Sequence, residues 1–194
     1  NLAEIKKLWL WLTKNLNPDY TSRYMILTAI YTGMRLSEIQ AITWKDIDIN
    51  NQTITISKSW DAIHKQFKDT KKKSSKRTIK INPSLLAYLY QLQSHNNSMM
   101  VFMNRQNEIP TSGSVNKALR VALKENKISK NGFHFHSLRH SHVALLLAKG
   151  IDVYAISKRL GHSNISTTTN VYAYMIDEFK NKTDDQIIKA LESL

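Results

Sequence analysis

The sequence predicts a mainly helical domain with one small three-stranded antiparallel β-sheet. Apolar residues recur at helical spacing over most of the chain, whereas alternation of apolar and polar residues is confined to the middle, around residues 53–57. Glycine or proline stands at most of the expected helix ends. The length of 194 residues suits one domain with one good core, and we find no internal repeat or low-complexity linker. Residues 1–194 are therefore predicted to form a single domain.

The first part of the chain contains three predicted helices. Residues 2–16 place apolar side chains at helical spacing, and Asn17-Pro18-Asp19 interrupts this pattern. Residues 20–32 form a second predicted helix that ends at Gly33, and residues 37–42 form a short third one.

The middle of the chain contains the three predicted strands. Residues 53–57 alternate as a half-buried strand does, and residues 62–67 and 77–81 supply two more strands joined by a very basic turn. Pro83 then begins a helix that is predicted to continue to residue 92.

The remainder is predicted to be helical. Thr111 or Ser112 caps a helix over 112–125, and helices over 136–149 and 153–160 end at glycines. Two further helices, 166–174 and 178–194, are predicted to close the chain.

The overall charge indicates a polyanionic partner. There are 28 Lys and Arg against 15 Asp and Glu, a formal charge of +13 and a pI near 9.8. Charge alone does not separate a binding protein from one that is merely basic, nor DNA from RNA or from an acidic membrane surface. The absence of cysteine excludes disulfides and thiolate metal sites. No membrane span or signal peptide is visible, and the start at Asn1 suggests a trimmed domain.

Several segments carry residues that can bind a phosphate or move a proton. Arginines grip phosphate through forked hydrogen bonds, histidines and lysine transfer protons, and tyrosine can attack phosphorus. Taken singly, each segment also has an ordinary explanation: an ion pair, a solvated turn, a helix-capping histidine or a core tyrosine. In chain order they contain Arg35 with Glu38, the basic segment 64–80, His136 with Arg139, His162 after Gly161, and Tyr172.

A metal site is the alternative explanation for the histidines. His136 and His140 are four residues apart, as in zinc proteases, but Ser137 stands where such a helix needs a glutamate. We therefore predict no metal ion and no other cofactor.

In their residues and their order, these motifs resemble those of the catalytic domain of tyrosine recombinases, the phage and transposon integrase family. The similarity spans about residues 2–174 and does not include the family's N-terminal DNA-binding region, so the chain is expected to be the catalytic domain alone. The matching motifs are Gly-x-Arg-x-x-Glu, a basic hairpin, His-x-x-Arg-His, Leu-Gly-His and Thr-Thr-x-x-x-Tyr.

The resemblance implies a role for each motif. It implies that Tyr172 is the nucleophile, with Tyr174 as its competitor, because many family members have histidine at that second position. His136 is the expected acceptor of the tyrosine proton, whereas His140 and His142 are expected to be structural. The implied phosphate contacts are Arg35, Arg139 and His162, with Glu38 supporting Arg35 locally.

In the family, a catalytic lysine in the hairpin turn protonates the leaving 5′ oxygen. Matching residues 75–79 to the family's strand places that lysine at Lys71. Lys72 and Lys73 stay open as alternatives, because the turn varies in length and the usual Lys-Thr pair is Lys-Lys here. The expected contacts to the DNA backbone are Lys72, Lys73, Lys76 and Arg77.

The resulting expectation is a site-specific DNA recombinase that acts on double-stranded DNA in a bacterial or phage-infected cytoplasm. It is expected to be a homotetramer on DNA and a monomer alone. The rivals are a type IB topoisomerase, a catalytically silent DNA-binding domain and a metal-dependent nuclease. The tail, residues 177–194, has a net charge of −2 from five acids and three bases. It is predicted to pack on its own domain or on a neighbouring subunit, and the sequence leaves both open.

Overall fold

The structure, a computed structural model, describes residues 2–69, 75–95, 97–129, 131–170, 172 and 191–192. The predicted turn lysines at 71–73 and most of the tail lie outside the described residues. Within the described part, no helix has both the length and the apolar character needed to cross a membrane.

The helices enclose one central helix. α2 (Thr21–Thr32) is buried along nine of its 12 residues and packs against α1 (Leu2–Lys14), α3 (Leu36–Gln40), α4 (Pro83–Gln93), α5 (Ser112–Glu125) and α6 (Phe135–Ala148). Burial on all sides of α2 explains why its sequence has little amphipathic character. α7 (Val153–Leu160) follows α6, and residues 165–170 are also helical.

The helix ends follow the local sequence. α2 and α7 both stop at glycines in the left-handed conformation, Gly33 with φ 66° and Gly161 with φ 71°. The left-handed backbone conformation is unfavourable for residues that have a Cβ, so glycine is preferred at these positions. Thr111 caps α5 by accepting the backbone N–H of Ser114, as predicted.

The strands among the described residues form two small sheets. β1 (Ile47–Asp48), β2 (Thr53–Ile56) and β5 (Arg77–Lys80) make the three-stranded antiparallel sheet in the order β1-β2-β5. β3 (Lys58–Asp61) and β4 (Gln66–Asp69) form a separate two-stranded hairpin. The mainly helical fold with a three-stranded sheet is therefore confirmed, and a second sheet is added to it.

The predicted strand over 62–67 is wrong in its position. Residues 62–65 form the turn between β3 and β4, because the Asp61 carboxylate accepts the backbone N–H groups of Ile63 and His64. Lys65 adopts φ 48°, which ends any extended run. The remaining strand of the larger sheet is β1. It has two residues, too few for an alternation of apolar and polar residues to be seen.

The core has two parts that are relevant to the site. The large cluster surrounds α2, whereas a smaller one joins α6 to α7 through Val143, Ile156, Leu160 and the ring of Tyr172. The site lies where these clusters meet.

Candidate active site

Arg35 is held at the junction between two helices. Gly33 ends α2, and Arg35 begins α3 as its N-cap residue. The Glu38 carboxylate accepts the backbone N–H of Arg35 at 2.9 Å and a guanidinium N–H from Nη1 at 2.9 Å. The side chain of Arg35 is 39% exposed, so part of it faces solvent while Glu38 orients its guanidinium.

Arg77 binds the same carboxylate from β5. Its two terminal nitrogens donate to the two oxygens of Glu38 at 3.0 and 3.1 Å, and its Nε donates to the backbone carbonyl of Arg159 at 2.7 Å. Only 7% of the Arg77 side chain is exposed. Arg77 therefore has an internal role that its sequence pattern did not reveal, and its predicted contact with DNA stays a prediction.

The shared carboxylate is ionised. Burial by itself would raise the pKa of Glu38, but hydrogen bonds and charge from Arg77 and then from Arg35 outweigh it, and the pKa lies below its ordinary value. One buried anion is thus placed between two guanidiniums, which stabilises both in fixed positions.

Arg139 links the ends of two helices to a histidine. It lies on α6, is 4% exposed, and donates to the carbonyls of Gly33 at 2.7 Å and Leu160 at 2.9 Å. Its Nη2 also lies 2.9 Å from Nε2 of His162. The guanidinium is therefore fixed by two turns, each at the glycine that ends a helix. One turn precedes Arg35, and the other contains His162.

His162 is neutral and held in one tautomer. Because an arginine donates to Nε2, the ring proton lies on Nδ1, which is 2.7 Å from Oγ1 of the fully buried Thr168. Burial and then the charges of Arg139, Arg35 and Arg77 lower the pKa of His162 to about 4. Thr168 is a supporting residue that sequence analysis missed, although it lies in the Thr-Thr part of the motif.

Tyr172 is hydrogen-bonded to His140. Its ring is 4% exposed in the small cluster, and its hydroxyl lies 2.6 Å from Nδ1 of His140. The ring of His136 stands edge-on to that of His140, with centroids 5.1 Å apart. His140 was expected to be structural, and its spacing from Tyr172 in sequence carries no signal of this bond.

Among the other predicted residues, Lys76 is exposed, next in sequence to Arg77. Lys71, Lys72, Lys73 and Tyr174 lie outside the described residues. Within the described part, no group of three or more His, Asp or Glu side chains is arranged to hold a metal ion.

His142, by contrast, faces the interior. It is 4% exposed, its Nδ1 lies 2.9 Å from the carbonyl of Ile30, and Arg159 donates to its Nε2 at 3.3 Å. A Cβ on Gly33 would lie 2.6 Å from the His142 ring. The expected structural role of His142 fits these contacts.

Comparison with known proteins adds to this geometry. The family model for the phage integrase family matches residues 4–178. The integrase of Staphylococcus phage L54a is 30% identical over 89% of this chain and 54% of its own length. The ICEBs1 integrase of Bacillus subtilis is 31% identical over 81% of this chain and 47% of its own. The chain thus spans about half the length of these relatives.

The fold also matches a solved structure. The Tn1549 transposon integrase, solved in complex with transposon right end DNA, has a TM-score of 0.74 and 19% sequence identity. The match covers 93% of this chain and 64% of the integrase chain. At this identity the similarity shows the fold alone.

Proposed function

The chain belongs to the phage integrase family, and from that premise we propose that it catalyses site-specific recombination of double-stranded DNA. Tyr172 is the proposed nucleophile. It attacks a backbone phosphorus, a 3′-phosphotyrosyl bond forms, and the 5′ oxygen leaves. A 5′ hydroxyl from a second strand then reverses the reaction. Because the phosphoester energy is retained, the proposed reaction needs no ATP, and it needs no metal ion.

A single observation carries this proposal. Arg139 and His140 are neighbours on α6, and they connect the two halves of the chemistry. Arg139 bonds the turns that carry Arg35 and His162, while His140 bonds the hydroxyl of Tyr172. Residues from distant parts of the sequence therefore meet around one short stretch of helix.

The positive groups suit a phosphorane-like transition state. Arg35 is partly exposed and oriented by Glu38, and the charge of Arg35 acts on Arg139, whose guanidinium is braced by His162. Donors that are already oriented stabilise charge as it grows on the non-bridging oxygens, without reorganisation. His136, exposed on α6, is proposed as a further phosphate contact.

The basic segment completes the proposed site. Lys71 is the proposed acid that protonates the leaving 5′ oxygen, with Lys72 and Lys73 as its alternatives. Lys72, Lys73, Lys76 and Arg77 are proposed to follow the DNA backbone, where each neutralised phosphate releases condensed counterions. The proposed place of action is the cytoplasm of a bacterial or phage-infected cell.

The proposed assembly is a homotetramer on DNA, with the tail docking on a neighbouring copy. α1, α6 and α7 border an apolar groove of about 920 Å³ whose polar edge is Lys6, Lys149 and Arg159. The tail has apolar residues and a net charge of −2, which complements that edge. Leu191, one of two described tail residues, is 58% exposed, which leaves its side chain available to a partner.

Trapping on a nicked suicide DNA substrate tests the proposed activity. The protein should give a covalent DNA adduct on a denaturing gel, in the presence of a chelator and without ATP. Tyr172→Phe should give none while still binding DNA, because only the nucleophilic oxygen is lost. Absence of an adduct would support a silent binding domain, and cleavage that requires a divalent ion would support a nuclease. Relaxation of supercoils without strand exchange would support a topoisomerase.

A further inference from the structure

The contact between His140 and Tyr172 assigns a proton acceptor to the reaction. The distance of 2.6 Å between Nδ1 and the phenol oxygen is short for a hydrogen bond to nitrogen, so the two atoms are in direct contact. A general base must lie within hydrogen-bond reach of the proton it takes. The neighbour of His140, Arg139, is fixed by two backbone carbonyls, which also fixes this part of α6.

The charges around His140 favour its neutral form. The hydroxyl of Tyr172 and the ring of His136 contact it, and Arg139 and His134 act on it through their charge. Burial, and then the charge of Arg139 and of His134, hold the pKa of His140 below its ordinary value. At neutral pH the imidazole is therefore uncharged, and the unprotonated Nδ1 can accept the phenol proton while Nε2 carries the other.

We propose that His140 is a catalytic residue that takes the proton of Tyr172 during DNA cleavage, an inference that rests on the proposed function. As the bond from the tyrosine oxygen to phosphorus forms, the phenol proton moves to Nδ1 of His140. The bond from phosphorus to the 5′ oxygen breaks, and that oxygen receives a proton from the lysine of the basic segment.

The reverse step restores both groups. A 5′ hydroxyl attacks the phosphotyrosyl phosphorus and gives its proton to the neutral lysine. The His140 imidazolium returns its proton to the departing tyrosine oxygen. No proton is gained or lost over the cycle. His136, which was expected to accept the tyrosine proton, is left to act on the phosphate.

A single-turnover cleavage assay across pH separates proton transfer from mere positioning. His140→Asn keeps a hydrogen-bond acceptor near the place of Nδ1 but cannot take up a proton at these pH values. Its cleavage rate near neutral pH should fall about 10²–10⁴-fold, the usual contribution of general base catalysis. The acid limb of the wild-type profile should disappear, and the rate should rise at alkaline pH as hydroxide ionises the tyrosine. DNA binding should be unchanged.

Two further variants keep the test decisive. His140→Ala should recover activity when imidazole is added, with more basic imidazoles giving faster cleavage. His95→Gln, on a partly exposed histidine that pairs with Asp19, is the matched control and should behave as the wild type. An unchanged acid limb in His140→Asn, or no rescue of His140→Ala by imidazole, would overturn the role of His140.

The outcomes also separate this inference from the proposed function. If the wild type forms no covalent adduct, the proposed function fails. If the wild type forms the adduct and His140→Asn forms it at the same rate and pH profile, only the role of His140 fails.

Discussion

Removal of the Glu38 carboxylate should destabilise the protein strongly. Glu38→Ala leaves the guanidinium of Arg77 buried, at 7% exposure, without the anion that accepts two of its hydrogen bonds. Loss of one partner from a buried ion pair costs roughly 3–5 kcal/mol. For a chain of this size, each kcal/mol lowers the melting temperature by about 2–4 °C, so the melting temperature should fall by roughly 6–20 °C.

The assay is denaturant unfolding of matched variants. Glu108→Ala removes an ion pair with Lys65 in which both side chains are largely exposed, 75% and 61%, and should cost at most about 1 kcal/mol. Glu38→Leu combined with Arg77→Met removes both charges and should recover most of the stability, because no unpaired charge is left inside. The double variant should nevertheless cleave DNA poorly, since Arg35 has lost the group that orients it.

The same pair predicts a dependence on pH. Because the folded-state pKa of Glu38 lies below its ordinary 4.5, its stabilisation is present above that pH and is lost as the pH falls through the lower folded value. If Glu38→Ala lowered the free energy of unfolding by less than about 1 kcal/mol, the cost would be that of an exposed ion pair, and the buried-charge argument would be refuted. Failure of Arg77→Met to recover stability in the double variant would refute it too.

The remaining predictions concern other parts of the molecule. Gly161→Ala should lower cleavage more than Gly150→Ala. Both glycines have φ above 70°, but a Cβ on Gly161 would lie 2.8 Å from Nη1 of Arg77, whereas a Cβ on Gly150 would have no atom within 4 Å. Equal losses of activity in the two variants would contradict this prediction. Alanine at all three lysines of 71–73 should reduce the salt slope of DNA binding by up to about 2.7, and an unchanged slope would place them off the DNA. Deletion of 178–194 should spare DNA binding but impair synapsis and strand exchange, and normal recombination would eliminate its partner role. Burial lowers the pKa of His142 to about 4, so the free energy of unfolding should fall as the pH drops from 6.5 toward 4. His142→Gln should show a shallower decline with pH. A decline equal to that of the wild type would exclude His142 as the cause.

The local features of this protein could be predicted from its residues alone. The period of the apolar residues located the helices, glycines at positions 33 and 161 marked where α2 and α7 end, and Thr111 or Ser112 marked the start of α5. These features depend on residues close together in the chain, so their pattern is readable without a fold. The motifs also identified the family, because their residue types and order are specific even when each alone is ordinary.

Which of these residues meet depends on how the whole chain packs. The partner of Arg77 is Glu38, 39 residues earlier, although the basic segment itself contains Asp69 as a nearer acid. Arg139 bonds a carbonyl 106 residues away, and His140 bonds a tyrosine 32 residues away. β1 joined the sheet in place of the predicted segment at 62–67 because pairing depends on which backbone edge is nearby.

The physical reason is that periodicity and capping are local, whereas a buried charge takes its partner from whichever element the packing brings within about 3 Å. Most of the residues in the site could therefore be predicted from the sequence. The packing of α6 against α2 and α7 made His140, and not the histidine one turn earlier in the motif, the residue bonded to the phenol of Tyr172.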